Sequence, residues 1–191
     1  MKLKRLLVLP LLVASLQAAS VSDLTFTLIN GDTEYSVTDC LTTADGTLEI
    51  PSTYNGLPVT LIGIGAFDGC SSLTSITIPD SVTSIGSRAF RGCTNLTSIT
   101  IGNSVTSIGD FAFYYCSGLT SITIPDSVTS IGSGAFRGCS SLFTVRFDGE
   151  APTIGSQVFD NTQVSYILVE GTNIATYGGD GASFGGLAVV D

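Results

Sequence analysis

The five cysteines are the residues of this chain best suited to covalent chemistry. Four of them recur every 23 residues, at Cys70, Cys93, Cys116 and Cys139. A cysteine nucleophile needs a nearby base or cation, yet the chain has no His, and its only lysines are Lys2 and Lys4. We therefore predict that the protein is not an enzyme and that it binds no cofactor or metal.

The cysteines at the repeated position are predicted to be structural. Equivalent residues of stacked repeats lie about 4.8 Å apart, but their side chains point in parallel rather than at each other. We expect these four residues to be small buried apolar groups with free thiols. Cys40 lies outside the spacing and is either free, which we favour, or paired with Cys70.

A row of charged and aromatic residues is the best candidate for a binding site. The position two residues before each repeated cysteine holds Asp68, Arg91, Tyr114 and Arg137 in turn. Arg, Tyr and Phe are the residue types that anchor protein interfaces. Alternatively, the row is a surface ladder in which Asp68–Arg91 and Arg137–Asp160 pair, each pair worth about 0–1 kcal/mol. We name the candidate surface the arginine–tyrosine edge, which comprises Arg88, Arg91, Phe111, Tyr114, Tyr115 and Arg137.

A second candidate surface is the outward side of the predicted strands, which we name the hydroxyl face. Its residues are small, polar and nearly uniform from repeat to repeat. They either keep the sheet soluble or form a flat platform for a repetitive ligand such as a glycan. The residues of the hydroxyl face are Ser75, Thr77, Ser98, Thr100, Ser121, Thr123 and Arg146.

The elements that position both surfaces come from an internal repeat. Residues 73–141 are a 23-residue block written three times without an insertion, and the first and third copies agree at 20 of 23 positions. Phe67 and Phe159 extend the same phase by one unit on each side. A fixed period of this length is typical of a solenoid, in which stacked coils share one core because a single coil cannot bury its own apolar face.

Each unit predicts a strand, a second extended segment and a compact turn. In residues 76–78 the Ile side chains alternate with Thr, which places Ile inward and Thr outward on a strand. Val82 and Ile85 mark the second inward-facing segment. Ala89 and Phe90 then fill the interior, from a helical or 3-10 turn.

The segments on either side of the repeats predict two caps. Asn30 and Gly31 separate two alternating segments and tolerate positive φ, which predicts a β-hairpin. We assign residues 20–61 to an N-terminal cap with this hairpin, 62–163 to the repeats and 164–191 to a β-rich C-terminal cap. The C-terminal cap is predicted to contain a glycine loop at 178–181 and a last strand at 187–190.

Residues 1–19 have the pattern of a secretory signal peptide. A basic start at residues 2–5 precedes an apolar run at 6–13, and small residues follow at 18 and 19. The run is too short to span a bilayer, so we predict cleavage rather than a membrane anchor. Without these residues the chain keeps four Arg against sixteen acidic residues, a net charge of −12. This charge argues against nucleic acid and anionic membranes as partners.

The repeat resembles the leucine-rich repeats of the BspA-like family, the Treponema pallidum-type class of surface and secreted proteins. The resemblance covers Leu48 to about Asp160 and rests on the run I-G-x-x-A-F-x-x-C, which recurs at the right spacing. It implies an α/β-type repeat solenoid, mostly β, of about five 23-residue coils stacked into a right-handed curve with a parallel sheet. Several members of this family are adhesins for host or matrix proteins.

We therefore predict an exported, non-catalytic module, secreted or at the cell surface, that binds an extracellular protein through the arginine–tyrosine edge. An adhesin is the form that the resemblance implies. Two alternatives stay open: a structural spacer without a specific ligand, and a glycan-binding protein that uses the hydroxyl face. Adhesion predicts loss of binding when the edge is changed, a spacer predicts no saturable binding, and glycan binding predicts competition by soluble sugars.

Overall fold

The computed structural model describes residues 18–169, 171–177 and 183–190. Nearly all of the predicted signal peptide, and the predicted glycine loop at 178–181, lie outside these residues. The described chain consists almost entirely of strands and turns, with 3-10 helices at Val21–Asp23 and Gly171–Tyr177. The prediction of a mostly-β solenoid with parallel sheets is confirmed.

The N-terminal segment contains the predicted hairpin and joins the sheets of the repeats. Its strands are β1 (Leu24–Ile29), β2 (Glu34–Cys40), β3 (Gly46–Glu49), β4 (Thr53–Tyr54) and β5 (Leu57–Ile62). β1 and β2 pair antiparallel, and residues 30–32 between them all have positive φ. β2 pairs in parallel with β5, so the hairpin extends the sheet at the N-terminal end of the stack.

Three complete coils follow, which we number coil 1 (residues 73–95), coil 2 (96–118) and coil 3 (119–141). Each coil has a longer strand on one side, a two-residue strand on the second side and a turn segment on the third. The strands are β6 (Leu73–Thr77), β7 (Ser84–Ile85), β8 (Ser98–Thr100), β9 (Ser107–Ile108), β10 (Ser121–Ile124) and β11 (Ser130–Ile131). The turn segments use bonds from residue i+3 to residue i, such as Cys93 N to Phe90 O, rather than a helix.

The coils continue towards the C-terminus with less regular sequence. The remaining strands are β12 (Thr144–Phe147), β13 (Thr153–Ile154), β14 (Tyr166–Val169), β15 (Ser183–Phe184) and β16 (Leu187–Val190). β12, β14 and β16 pair in parallel, and β15 closes the end by pairing antiparallel with β16. The parallel sheet therefore runs on through the segment predicted to be the C-terminal cap.

Two of the three sides are joined by continuous backbone hydrogen bonds. On the second side, β5, β7, β9, β11 and β13 form one parallel series. On the turn side, the N–H groups of four core phenylalanines donate to a carbonyl of the next coil: Phe67 to Ala89 at 2.7 Å, Phe90 to Ala112 at 2.7 Å, Phe113 to Ala135 at 2.8 Å and Phe136 to Val158 at 3.0 Å. These bonds fix the spacing between coils at about one strand separation.

The core is a column of stacked phenylalanines flanked by aliphatic rows. Consecutive rings from Phe67 to Phe159 have centroids 4.9, 5.1, 5.2 and 5.8 Å apart and lie within 14° of parallel. The repeated cysteines are buried and free, as predicted. Three of them donate to the carbonyl of a core phenylalanine in the preceding coil, for example Cys116 Sγ to Phe90 O at 3.0 Å.

The sheet that carries the hydroxyl face is interrupted between coil 2 and coil 3. β3, β6 and β8 form one sheet, and β10 begins another. Thr97 N donates to Thr74 O at 2.9 Å, and Phe143 N donates to Thr120 O at 3.1 Å. The equivalent bond between coil 2 and coil 3, from Thr120 N to Thr97 O, is not formed, although the structure describes both residues. β8 and β10 are therefore neighbours without a hydrogen-bonded ladder.

The sequence around this interruption favours it. A Cβ on Gly102 would lie 2.5 Å from Pro79 O, so only glycine allows the end of coil 2's strand to approach coil 1 this closely. Pro125, at the equivalent position of coil 3, has no N–H to donate back to coil 2. In the following coil, Asp148 N makes such a bond, to Ile124 O at 3.0 Å. The end of the strand in coil 2 thus lies close to coil 1 and accepts no hydrogen bond from Pro125 of coil 3.

We predict that the interruption is visible in native-state hydrogen exchange. The amides of Thr120 and Ile101 should exchange at least about tenfold faster than those of Thr97 and Ile78, because the first pair lacks the bonds that protect the second. Ile78 N donates to Thr100 O at 2.9 Å, whereas Ile101 N has no such bond in the described structure. Equal protection of the two pairs would mean that the ladder is closed in solution.

Candidate protein-binding edge

The arginine–tyrosine edge lies on the turn side of the solenoid, where coil 2 departs from its neighbours. At three turn positions coil 1 carries Arg88, Arg91 and Gly92, and coil 3 carries Gly134, Arg137 and Gly138. Coil 2 places Phe111, Tyr114 and Tyr115 at the same positions. The structure therefore brings the predicted edge residues together on one side, over three consecutive coils.

Two of the aromatic residues sit where the backbone is left-handed. Phe111 has φ 56° and Tyr115 has φ 58°. The position of Tyr115 is glycine in the neighbouring coils, at Gly92 with φ 72° and Gly138 with φ 78°. Glycine adopts this conformation without a steric penalty, whereas a bulky residue there costs about 1–2 kcal/mol. Coil 2 thus keeps tyrosine at a site where the fold favours glycine.

The next coil leaves room for both rings. A Cβ on Gly134 would lie 2.5 Å from Phe111 Cε1, and a Cβ on Gly138 would lie 2.8 Å from Tyr115 Cδ1. Both glycines are buried, although they lie on the outside of the turn segment, because the rings cover them. Gly134 replaces the Arg88 of coil 1 and is one of the few differences between the two copies. The sequence analysis did not predict that the Phe111 ring packs over Gly134. The change from Arg88 in coil 1 to Gly134 in coil 3 was the signal that could have revealed it.

The three aromatic residues form one cluster. The ring of Tyr114 lies 5.4 Å from that of Phe111, edge to face, and 4.3 Å from that of Tyr115. The neighbouring Tyr115 hydroxyl, followed by desolvation, raises the pKa of Tyr114 above its ordinary value. Tyr115 is 54% exposed, so it presents the largest accessible surface of the cluster. A partially exposed, ring-packed surface of this kind suits an interface anchor.

The arginines of the edge have different environments. Arg91 Nε donates to both carboxylate oxygens of Asp68, at 2.9 and 3.0 Å, and this contact raises the pKa of Arg91. The proposed pairing of Arg137 with Asp160 is not formed in the described structure. Instead, Arg137 Nη1 lies 3.5 Å from Gln157 Oε1, and Arg137 Nε is buried without a described hydrogen-bond partner. A surface salt-bridge ladder therefore accounts for Arg91 but not for Arg137.

The hydroxyl face is also where the sequence placed it. β6 and β8 carry its residues in one parallel register and β10 and β12 in another, so that Ser75 faces Ser98 and Thr123 faces Arg146. Arg146 Nε forms an ion pair with Asp148 at 2.7 Å. The hydroxyl residues of coils 2 and 3 are exposed, whereas Ser75 and Thr77 of coil 1 are half-buried. The face is thus more open on both sides of the interrupted ladder.

Two of the buried cysteines, Cys40 and Cys116, have a raised thiol pKa. Cys40 and Cys70 are both free, and their sulfurs lie 3.6 and 3.8 Å from the same Leu41 carbonyl oxygen. Hydrogen bonding with Cys70, followed by burial, raises the pKa of Cys40 well above its ordinary value. The pKa of Cys116 is raised as well, by contacts with the cysteines above and below it and by burial. A thiol held in its neutral form is a poor nucleophile.

Two further properties hold for the described part of the chain. It contains no group of three or more Cys, Asp and Glu side chains arranged to hold a metal ion. None of its helices has the length and apolar character needed to cross a bilayer.

Comparison with known proteins shows similarity to one class of repeat. A family model described as the BspA type leucine rich repeat region matches residues 60–178 in six copies. This match extends past residue 163, into the segment predicted as the C-terminal cap. No curated protein matches the chain.

Solved structures of several bacterial proteins have the same fold. A leucine-rich repeat protein of T. pallidum is 29% identical, with a TM-score of 0.73 over 80% of this chain and 71% of that one. A leucine-rich repeat protein from Bacteroides capillosus is 34% identical, with a TM-score of 0.60 over 68% of this chain and 96% of that one. A leucine rich cell surface protein from Faecalibacterium prausnitzii is 28% identical, with a TM-score of 0.51 over 81% of this chain and 55% of that one.

We predict that Tyr115→Gly leaves the stability of the protein nearly unchanged. Glycine relieves the left-handed strain of about 1–2 kcal/mol, but it loses the ring contact with Gly138 and adds flexibility to the unfolded chain. We expect a net change within about 1 kcal/mol in the free energy of unfolding, measured by urea denaturation. The matched control is Phe113→Ala, a fully buried change two residues away, which should cost about 3–5 kcal/mol. Equal losses in the two variants would make Tyr115 a structural residue.

Proposed function

Because this chain belongs to the BspA-type leucine-rich repeat family, we propose that it is an exported, non-catalytic module that binds an extracellular protein through the arginine–tyrosine edge. The observation that carries the proposal is the strained position of Tyr115. Neighbouring coils fill that position with glycine, at Gly92 and Gly138. Backbone strain that a fold could avoid is typical of binding and catalytic sites.

The composition of the edge supports a protein partner. Tyr and Arg are the residue types that most often dominate the affinity of interfaces, and they do so where they cluster. The Tyr114–Tyr115 pair stands between coils that carry Arg91 and Arg137 at the equivalent position. Tyrosine also loses little side-chain entropy on binding, since it has only two side-chain torsions.

The charges of the edge support a partner that contributes an acidic group. Arg137 Nε is buried without a described hydrogen-bond partner, and the only hydrogen bond of its guanidinium among the described residues is the long one to Gln157. A carboxylate on the partner would form a charge-assisted hydrogen bond with the accessible part of this guanidinium. Arg88 is exposed and makes no ion pair within the described residues.

An extracellular setting is part of the same proposal. Residues 1–19 carry the pattern of a signal peptide, and one structural neighbour is named as a cell surface protein. A secreted or surface-held adhesin combines these features with a binding edge. The spacer alternative differs in requiring no saturable ligand, and it gives no role to the strained tyrosine.

The proposal is tested by surface plasmon resonance of the purified protein against immobilised extracellular-matrix proteins. For any matrix protein that binds saturably, the double variant Phe111→Gly/Tyr115→Gly should weaken binding by about 30-fold or more, as expected for the loss of an interface hot spot. Arg137→Gln should weaken it by about tenfold.

The matched control for these variants is Thr77→Val, which changes the hydroxyl face of coil 1 and leaves the edge untouched. It should bind like the original protein. If the edge variants also bind like the original protein, the edge is not the site. If no matrix protein binds saturably, the spacer function is favoured instead.

A further inference from the structure

The interrupted ladder between β8 and β10 opens into a cavity on the hydroxyl face. The cavity has a volume of about 400 Å³ and lies between the two strands, with Asn103 and Asp148 near one end. Its size is within the range of small-molecule and saccharide sites. It is formed by coils 2 and 3 and by Asp148 of the following coil, on a different side of the solenoid from Tyr115.

The interrupted ladder leaves backbone groups unused, and two of these groups, Ile101 N and Thr123 O, belong to residues that line the cavity. In a continuous ladder, Thr120 N would donate to Thr97 O, and Ile101 N would donate to Thr123 O. Neither bond is formed, although the structure describes all four residues. Backbone N–H and C=O groups next to a protein interior are nearly always paired with protein, water or ligand. The gap therefore offers both donors and acceptors to whatever occupies it.

Side-chain hydroxyls surround these backbone groups. Ser98 and Thr100 on one strand, and Ser121 and Thr123 on the other, are exposed at the mouth of the cavity. Each hydroxyl is one donor and two acceptors, and it rotates to suit its partner. The floor includes Ile99, which is 8% exposed, whereas the equivalent Ile76 of coil 1 is completely buried.

The dimensions and chemistry of the gap restrict the ligand. Residues of β8 and β10 have Cα atoms within 8 Å of each other, less than the separation of about 9.6 Å, twice the strand spacing, that an inserted strand needs. A ligand therefore lies across the mouth of the cavity, on the exposed hydroxyls, rather than between the two strands. No aromatic ring lines the cavity within the described residues, so planar groups have nothing to stack on. Asp148 is paired with Arg146, so the net negative charge of the chain is what disfavours anions.

We propose that the mouth of the cavity, over the gap between β8 and β10, binds a neutral oligosaccharide. Sugar hydroxyls donate and accept at once, so they match a wall that alternates N–H, C=O and hydroxyl groups. They can take the place of water without leaving a backbone group unpaired. This site does not depend on the arginine–tyrosine edge, and the protein would keep it if the edge bound nothing.

The experiment is a titration of the ¹⁵N-labelled protein with maltotriose, cellotriose, mannotriose and chitotriose, followed by amide NMR spectra. At least one trisaccharide should shift the amide signals of Ile101 and Thr120 saturably and slow their hydrogen exchange. A sulfated disaccharide and an unrelated pentapeptide serve as anionic and peptide probes. Saturable shifts of these amides by either of those two, with none by a neutral sugar, would overturn the proposal.

A matched pair of variants separates the site from the rest of the hydroxyl face. Thr100→Val/Thr123→Val removes one hydroxyl from each side of the gap and should weaken sugar binding at least tenfold. Thr77→Val removes the equivalent hydroxyl where β6 and β8 are paired, and it should leave binding unchanged. Equal weakening by both, or an unchanged affinity in the double variant, would place any sugar binding elsewhere. If the double variant does not fold, the sugar-dependent protection of Ile101 and Thr120 in the original protein decides the question.

Discussion

The structure depends on stacking equivalent cross-sections at one strand separation. A single coil has no second layer to cover its apolar side chains, so each inward residue is buried only by the coils above and below it. The phenylalanine column meets this requirement directly, because its rings lie 4.9 to 5.8 Å apart and nearly parallel. The hydrogen bonds of the turn side impose the same spacing on the backbone. Any change in sequence is therefore tolerated only where it preserves that distance.

Coil 2 shows how much freedom this constraint leaves. It differs from coil 1 at eight of 23 positions, yet it keeps every inward residue, including Leu96, Ile99 and Phe113. The continuous ladders on two sides hold its register, so the third ladder can open without loss of the core. On the turn side, Gly134 and Gly138 of the next coil accommodate the added rings. Variation in one coil is thus absorbed by its neighbour rather than by the core.

The repetition made the fold and the location of the candidate surfaces predictable. Recurring Ile, Phe and Cys defined the inward rows, and equal positions in successive repeats defined the arginine–tyrosine edge. Other features depend on distances between coils that the repeat pattern does not contain. The ring of Phe111 over Gly134, the missing partner of Arg137 and the gap beside Gly102 all arise from how two coils pack. None of these contacts is apparent from the sequence of one coil taken alone.

The two surfaces of coil 2 have opposite physical origins. At the edge, coil 2 gains bulky side chains and accepts a left-handed backbone at Tyr115, which its flanking coils avoid with glycine. At the hydroxyl face, Gly102 removes bulk, and backbone groups lose their bonds. Neither change improves the packing of the solenoid, and each exposes groups able to bind a ligand. Because they lie on different sides of one coil, with the phenylalanine column between them, occupation of one surface leaves the other accessible.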